Sequence, residues 1–547
     1  MSDETSTDVE RRMIDDARAK GLGATLRTYT RLSGPGWLQS AITLGGGSLA
    51  SALYLGVLTG YGLLWLQLVA MLLGVIMLSA ISYVTLSTEQ RPFRAICEKV
   101  NPVLGWGWIL AVLMANLVWV FPQFSLGTAA ITQNLLEDPS TTAKVSGAAS
   151  LLLLAAIVIW FYDSGSRGIR IFEWVLKAMV GLVVLCFVGV VFKLGGSDSG
   201  LEWGNILEGF IPSPSLIFEP AAAFAPHLET SGASSFWSDR IVAQQRDVMI
   251  AAAATAVGIN MTFLLPYSML KKGWGRSFRG LAVFDLGTGL LVPFVLATSC
   301  VVIASSSSFH GEYDAALLDP ASEAPKRVQK QYDGNLNAVL AHSLGADAVK
   351  ALTDSERATA IAALPESDRA LAAMLVKRDA FDLAAALKPL AGDTFARWIF
   401  GIGVIAMALS TIIILMLISG FTFCEIMDKP PTGWPHRLGC LAAGVGVLGP
   451  FVWSDVAFWL AVPTSVFGMV LLPVAYWTFI LMMNSDALLG KHRPQGASRV
   501  RWNVLMFTAA IVVTPASLYG AWSKAGWWGI GGITAFVLLA AVFHRRR

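Results

Sequence analysis

The residues of this chain that could do chemistry are few, uncharged and grouped at two places. Thr43, Gly45, Gly46, Gly47 and Ser48 fall in "AITLGGGS", and Gly258, Asn260, Met261 and Thr262 fall in "VGINMT". Hydroxyls, an amide and main-chain carbonyls are neutral ligands for an ion or a small solute. Ser48, Asn260 and Thr262 are the side-chain oxygens expected to reach a metal. None of the nine is a base or an activated nucleophile. The chain shows no nucleophile constellation, phosphate loop or nucleotide motif, and "SSSS" at 305–308 merely closes an apolar run. The expected chemistry is binding and release, with no catalysis and no cofactor.

The elements that must position these residues are long apolar runs. Three consecutive glycines cost a helix roughly 1 kcal/mol each relative to alanine, yet 45–47 sit inside the apolar run 35–60. Two readings are open. Small residues let membrane helices pack closely, or the backbone unwinds and turns its carbonyls toward a cavity, the one place where irregular backbone survives at membrane depth. A packing motif is more often Gly-xxx-Gly than three in a row, which favours unwinding. The run 247–271 repeats the pattern, with Gly258, Asn260 and Thr262 at its middle and then Pro266, which frees the carbonyl four residues earlier. Interrupted segments at corresponding positions of two halves mark the binding site of many secondary transporters.

The chain has 547 residues, 55% of them hydrophobic and only 14% charged, against about 25% charged in soluble domains. A net charge of +3 gives no footprint for nucleic acid. A spanning helix needs about 20 apolar residues, and twelve such runs appear, near 35–60, 62–88, 104–133, 148–165, 170–194, 247–271, 279–306, 396–425, 437–453, 457–483, 501–520 and 526–543. Trp106, Trp108, Trp453 and Trp527 lie near run ends, as interfacial anchors do. With a cytoplasmic N-terminus, the inner connections collect Arg91, Arg94, Lys99, Arg167, Arg170, Lys271, Lys272, Arg276, Arg279, Lys429, Arg437, Lys491, Arg493, Arg499 and Arg501. That distribution obeys the positive-inside rule and places both termini in the cytoplasm. Counting 216–240 as a span would reverse it, and Glu219, His227, Glu229, Asp239 and Arg240 are costly in lipid. This segment therefore belongs to an outer loop, with a short surface helix in "FWSDRIVAQQRD". The hydrophilic N-terminus shows no cleavable signal, and the five cysteines lie in or beside spans without metal or disulfide spacing.

The resulting division is a tail (1–33), a first repeat of five spans (34–194), an outer loop (195–246), spans 6 and 7 (247–306), an outer helical cap (307–395), spans 8–10 (396–490), and spans 11 and 12 with a basic tail (491–547). In the cap, "TDSE" at 353–356 fits a capping box, and the similar stretches around 352 and 364 suggest two or three amphipathic helices. His310 and His342 lack ligand spacing. Glu173 and Lys177 are spaced for an i,i+4 pair. Asp285 reads as an interfacial acid near a helix N-terminus, and Asn116 and Gln123 either line a path or bond to neighbouring helices.

Several stretches resemble one family. "GPGWLQSAITLGGGS" resembles the first span of the natural resistance-associated macrophage protein (Nramp) family of divalent metal transporters, which usually reads Gly-Pro-Gly and then Asp-Pro-Gly-Asn. "GIRIFEWVLKAM", "FDLGTGLLVPFVLATSCVVIASSSSFH", "ALSTIIILMLISGF" and "LLPVAYWTFILMMNSDALLG" are similar to its fifth, seventh, eighth and tenth spans. The resemblance covers most of 30–490 outside the two long loops. It implies an all-α integral membrane protein of about 12 transmembrane helices, a LeuT-type 5+5 inverted repeat plus two C-terminal helices. The departures fall at the site. The family's metal-binding Asp aligns with Gly45 and its Asn with Ser48. Its Ala-x-Met-Pro-His aligns with residues 260–264, so Met and His are not retained in place and Met261 is one position off. The family's Gln of span 10 is replaced by Ser465.

A site of neutral oxygens cannot cheaply strip a divalent ion of its water. The expected function is secondary transport of a divalent metal ion by alternating access, Mg²⁺-like and partly hydrated, since Mg²⁺ keeps its waters. The alternatives are a non-metal solute on the same fold, or a transport-dead sensor whose cap binds a partner. The expected partners are the bilayer of the inner (plasma) membrane and the transported ion or solute, without nucleic acid.

Overall fold

The computed structural model describes residues 6–138, 140–162, 165–196, 200–319, 324–378, 380–392, 398, 400–452 and 457–543. Every secondary-structure element among them is helical. Span 1 is two helices, Pro35–Thr43 and Gly46–Thr59, bent by 55°. Spans 2 to 5 are Leu64–Thr88, Pro102–Ala129, Thr141–Tyr162 and Ser166–Gly195. Span 6 is again broken, Ser234–Ala256 and Ile259–Lys271. Span 7 runs Arg279–Leu286, a π-helical turn Gly287–Leu291, and Val292–Phe309. Span 8 is Phe400–Ile426 and span 10 Ala457–Asn484. Nine helices among the described residues are long and apolar enough to cross a bilayer, ten with the bent pair of span 1. The other two expected spans escape that count for local reasons. Span 9 is divided into Gly433–Ala442, a 3₁₀ stretch Ala443–Leu448 and Gly449–Val452. Spans 11 and 12 are the two arms of Gly496–Val542, which reverses at Gly526, where φ is 53° and ψ −137°. That left-handed backbone strains any residue with a Cβ. The second arm returns so far that Ala540 O accepts from Asn101 Nδ2 at 2.7 Å, at the start of span 3.

Span 6 begins thirteen residues earlier than its apolar pattern indicates. The expected surface helix in "FWSDRIVAQQRD" is its first three turns. Asp239 and Arg240 weigh against a membrane helix there, but the Trp237 and Arg240 face of this end of span 6 packs under the cap and Asp239 is exposed. Buried Asp368 of the cap accepts from Trp237 Nε1 (2.9 Å), Gly232 N (3.2 Å) and Ser231 Oγ. Arg240 donates to Asn335 Oδ1 at 2.9 Å. Among the described residues the cap has five α-helices, Lys326–Leu344, Ala346–Ala351, Asp354–Ala362, Glu366–Met374 and Ala380–Ala391, more than the two or three expected. Its capping box forms, with Thr353 N donating to Glu356 Oε2 at 2.8 Å and Glu356 N to Thr353 Oγ1 at 3.4 Å. The two histidines serve separate packing roles, His310 against Val57 O (3.0 Å) and His342 on the Phe236 ring (5.0 Å).

Burial, with Arg240 nearby, pushes the Lys377 ammonium of this cap down to about 8. The unfolded chain then holds more protons than the folded one from about pH 8 to pH 10.4, so stability rises with pH across that window. Thermal unfolding of the wild type should gain on Lys377→Met as pH rises through it. Parallel curves for the two proteins would remove this assignment.

Two other expectations are corrected. Trp108 is no interfacial anchor: it is fully buried and donates to Thr262 Oγ1 at 3.0 Å, while Trp106 and Trp527 are exposed and Trp453 lies outside the described residues. Glu173 pairs with Lys272 at 3.0 Å, across to the end of span 6, and Lys177 instead donates to Ser33 O at 2.6 Å. Lys177 is just over one turn further along its helix, and its ammonium reaches the Ser33 carbonyl at the end of the chain entering span 1.

Candidate functional site

The two breaks meet. Span 1 leaves the helix at Leu44 (φ −83°, ψ 59°) and Gly45 (φ −112°, ψ −176°), and span 6 at Val257 (φ −141°, ψ 105°) and Gly258 (φ −83°, ψ 163°). The Met261 sulfur bridges them, accepting from Thr43 Oγ1 at 3.1 Å and from Gly258 N at 3.4 Å. Gly45 takes an extended conformation open to any residue, so unwinding does not demand glycine there. Space does: a Cβ on Gly45 would lie 2.3 Å from Thr411 Oγ1 of span 8, and one on Gly46 2.6 Å from Leu126 of span 3. The unwinding and packing readings of the triplet therefore both hold, at different atoms.

Between the breaks lies a cavity of about 30 Å³, lined by Thr43, Gly45, Gly47, Ser48, Gly258 and Met261, with Gln123, Thr255, Thr411 and Ser465 closing it. A water needs about 10–15 Å³ measured this way, so the space admits one bare ion or about two waters. The first half of span 1 ends here with its carbonyls, the negative end of its dipole. Thr43 O accepts from Ser48 Oγ, and Ala41 O accepts from Ser410 Oγ (3.0 Å) and Thr411 Oγ1 (3.3 Å). The positive end of the second half is capped by Gln123, whose Oε1 accepts from Gly46 N at 2.8 Å. Among the described residues no three His, Cys, Asp or Glu side chains group to hold a metal.

Of the nine sequence-derived residues, six line the cavity and Gly46 borders it through Gln123. Asn260 and Thr262 do not line it. Asn260 donates to Asn116 Oδ1 at 2.6 Å, and Asn116 to Ser419 Oγ at 3.3 Å, so that pair ties span 6 to spans 3 and 8. The Asn260 Oδ1 stays buried without a partner. Thr262 turns to Trp108, on the side of the helix away from Met261. Thr255 and Thr411 were not singled out as site residues. The signals available were a lone hydroxyl two residues before the break in "AAAATAVG" and the Ser-Thr pair of span 8.

Two interrupted helices crossing at a small polar cavity, inside a bundle of membrane-length helices, define an integral membrane protein with the broken-helix transporter architecture. The natural resistance-associated macrophage protein-like family model matches residues 36–346 and 358–523, and the chain belongs to the Nramp family. A metal transporter of Populus trichocarpa, Nramp6.2, is 29% identical over 189 residues, 34% of this chain and 32% of that protein. The chain thus spans about a third of that relative's length. Two crystal structures of single-substitution variants of the Eremococcus coleocola manganese transporter superpose with TM-scores of 0.62 and 0.63, at 14% and 13% identity. Each superposition covers 94% of both chains, and the likeness is one of fold.

Proposed function

We propose that this protein carries a divalent metal ion across the inner membrane by alternating access, with the ion keeping part of its water shell at the break of spans 1 and 6. The observation that carries the reading is the cavity itself, with two half-helix ends, six hydroxyl side chains and one thioether around about 30 Å³ and no carboxylate among the described residues of its lining. Without an anionic ligand, full dehydration is opposed by several kcal/mol, which suits an Mg²⁺-like ion that keeps waters. A hydrated ion exceeds the closed cavity, so the half-helices must separate to admit it, and the two-residue breaks supply hinges. By the positive-inside rule the basic connections and both termini face the cytoplasm, and the cap faces outward.

Flux into proteoliposomes across Mg²⁺, Mn²⁺, Ca²⁺ and Zn²⁺ tests this. Mg²⁺ uptake is expected, with no accompanying proton movement, because the lining holds no titratable carboxylate or imidazole. The Met261 sulfur is the one soft donor in the lining, so Met261→Ala should leave Mg²⁺ flux near wild type and weaken Zn²⁺ competition by about tenfold, near 1.4 kcal/mol. Absence of flux for all four ions would sink the transport reading.

A further inference from the structure

We infer that an anionic phospholipid of the cap-side leaflet occupies the groove between spans 2, 6, 10 and 11, its phosphate on Arg246 and one acyl chain lying along span 6 down to the break. The groove encloses about 510 Å³, within the roughly 300–1,000 Å³ of ligand sites. Its span 6 wall is one helical face, Arg246, Met249, Ile250, Ala253 and Val257. Apart from Arg246, the described residues of the lining carry no charged side chain.

The charge sits at headgroup depth. Arg246 is eleven residues before Val257, about 16 Å along a helix at about 1.5 Å per residue, and half the hydrocarbon core is about 15 Å. Lys524, paired with Asp247 at 2.5 Å, stands at the same level. The exposed Trp522, Trp527 and Trp528 around the span 11–12 turn mark the interface there. Among the described residues no carboxylate pairs with Arg246. Its Nε donates to Ile217 O at 2.7 Å and its guanidinium lies 5.8 Å from the Tyr519 ring centre. The terminal nitrogens remain for a phosphate, which a guanidinium fork can hold through two hydrogen bonds. The apolar wall below, facing a bilayer, takes hydrocarbon. A chain ending at Val257 touches a hinge of the proposed transport cycle; that consequence rests on the function proposed above, whereas occupancy does not.

Native mass spectrometry of the full-length protein, released from nanodiscs of phosphatidylcholine containing phosphatidylglycerol, reads occupancy without any flux measurement. Retention of phosphatidylglycerol over phosphatidylcholine is expected for the wild type. Arg246→Ala and Ala253→Trp, which fills the groove, should each lower it at least about tenfold. Arg246→Lys should keep most of it. Wild-type retention in both Arg246→Ala and Ala253→Trp, or equal retention of the two lipids by the wild type, overturns the site. If Arg246→Ala fails to fold, Ala253→Trp decides.

Discussion

Gly45→Asp combined with Thr411→Ala is expected to tighten divalent-ion binding at least about tenfold, a change near 1.4 kcal/mol. The carboxylate would enter the lining of the cavity between the breaks, where the wild type offers neutral oxygens and one sulfur. Two unit charges at 4 Å attract by about 4 kcal/mol at an effective dielectric near 20. A divalent ion feels more, and desolvation of the new carboxylate takes part of it back. The second substitution is needed because a Cβ at position 45 would stand 2.3 Å from Thr411 Oγ1. Gly45→Asp alone should lose about 1–3 kcal/mol of stability to overpacking and mask the gain. Thr411→Ala alone is the control, losing a hydroxyl bonded to Ala41 O and Met407 O at 3.3 and 3.0 Å. Isothermal titration with Mg²⁺ and Mn²⁺ reads the affinity. Turnover should slow as binding tightens, because most of such a gain lies in the off-rate. A folded double variant with wild-type affinity would show that the ion does not bind between the breaks.

The break in span 1 could be read from residues 45–47 because helix formers are so uniformly preferred around them. The reason for glycine could not, because Thr411 arrives from a helix about 365 positions away and only the packed bundle shows the collision. The sixth span was read short for a similar reason. Asp239 and Arg240 are expensive against lipid, but Arg240 is half-buried beneath helices from a separate segment of the chain and Asp239 is exposed. Met261 was legible in part. Residues three apart on a helix share a face, so a thioether three places after Gly258 returns to the break even though linear alignment leaves it one position off. Asn260 and Thr262 had the right chemistry on the wrong faces, and their partners Asn116 and Trp108 come from span 3.

Asp285→Ala is expected to cost about 3–5 kcal/mol and to loosen the basic-side end of span 1. This carboxylate was read as an acid near its own helix start, but two turns into span 7 it caps a different helix. It is 1% exposed and accepts from Ser33 Oγ (2.6 Å), Gly36 N (2.7 Å) and Gly34 N (3.1 Å). Those donors are the start of the first half of span 1, where an anion also meets the positive end of the helix dipole. Removing it strands two main-chain N–H groups in the interior, at about 1–3 kcal/mol each, and the loss of a charged acceptor adds to that. Asp285→Asn keeps the volume and one acceptor oxygen, so its cost should be roughly half. The functional consequence follows from the same contacts. The first half of span 1 is fixed at one end by Asp285 and free to hinge at Leu44 and Gly45. Gln39, just over one turn before Thr43, is fully buried with neither amide atom partnered. A buried unpaired amide favours any conformer that lets water reach it. Releasing the Asp285 clasp should therefore let this half-helix tilt and wet Gln39. A Gln39→Cys protein should react with a water-soluble maleimide faster in the Asp285→Asn background, measured above the five native cysteines. Equal labelling rates, with an unchanged unfolding midpoint in detergent, would mean that Asp285 neither clasps the helix nor holds the path shut.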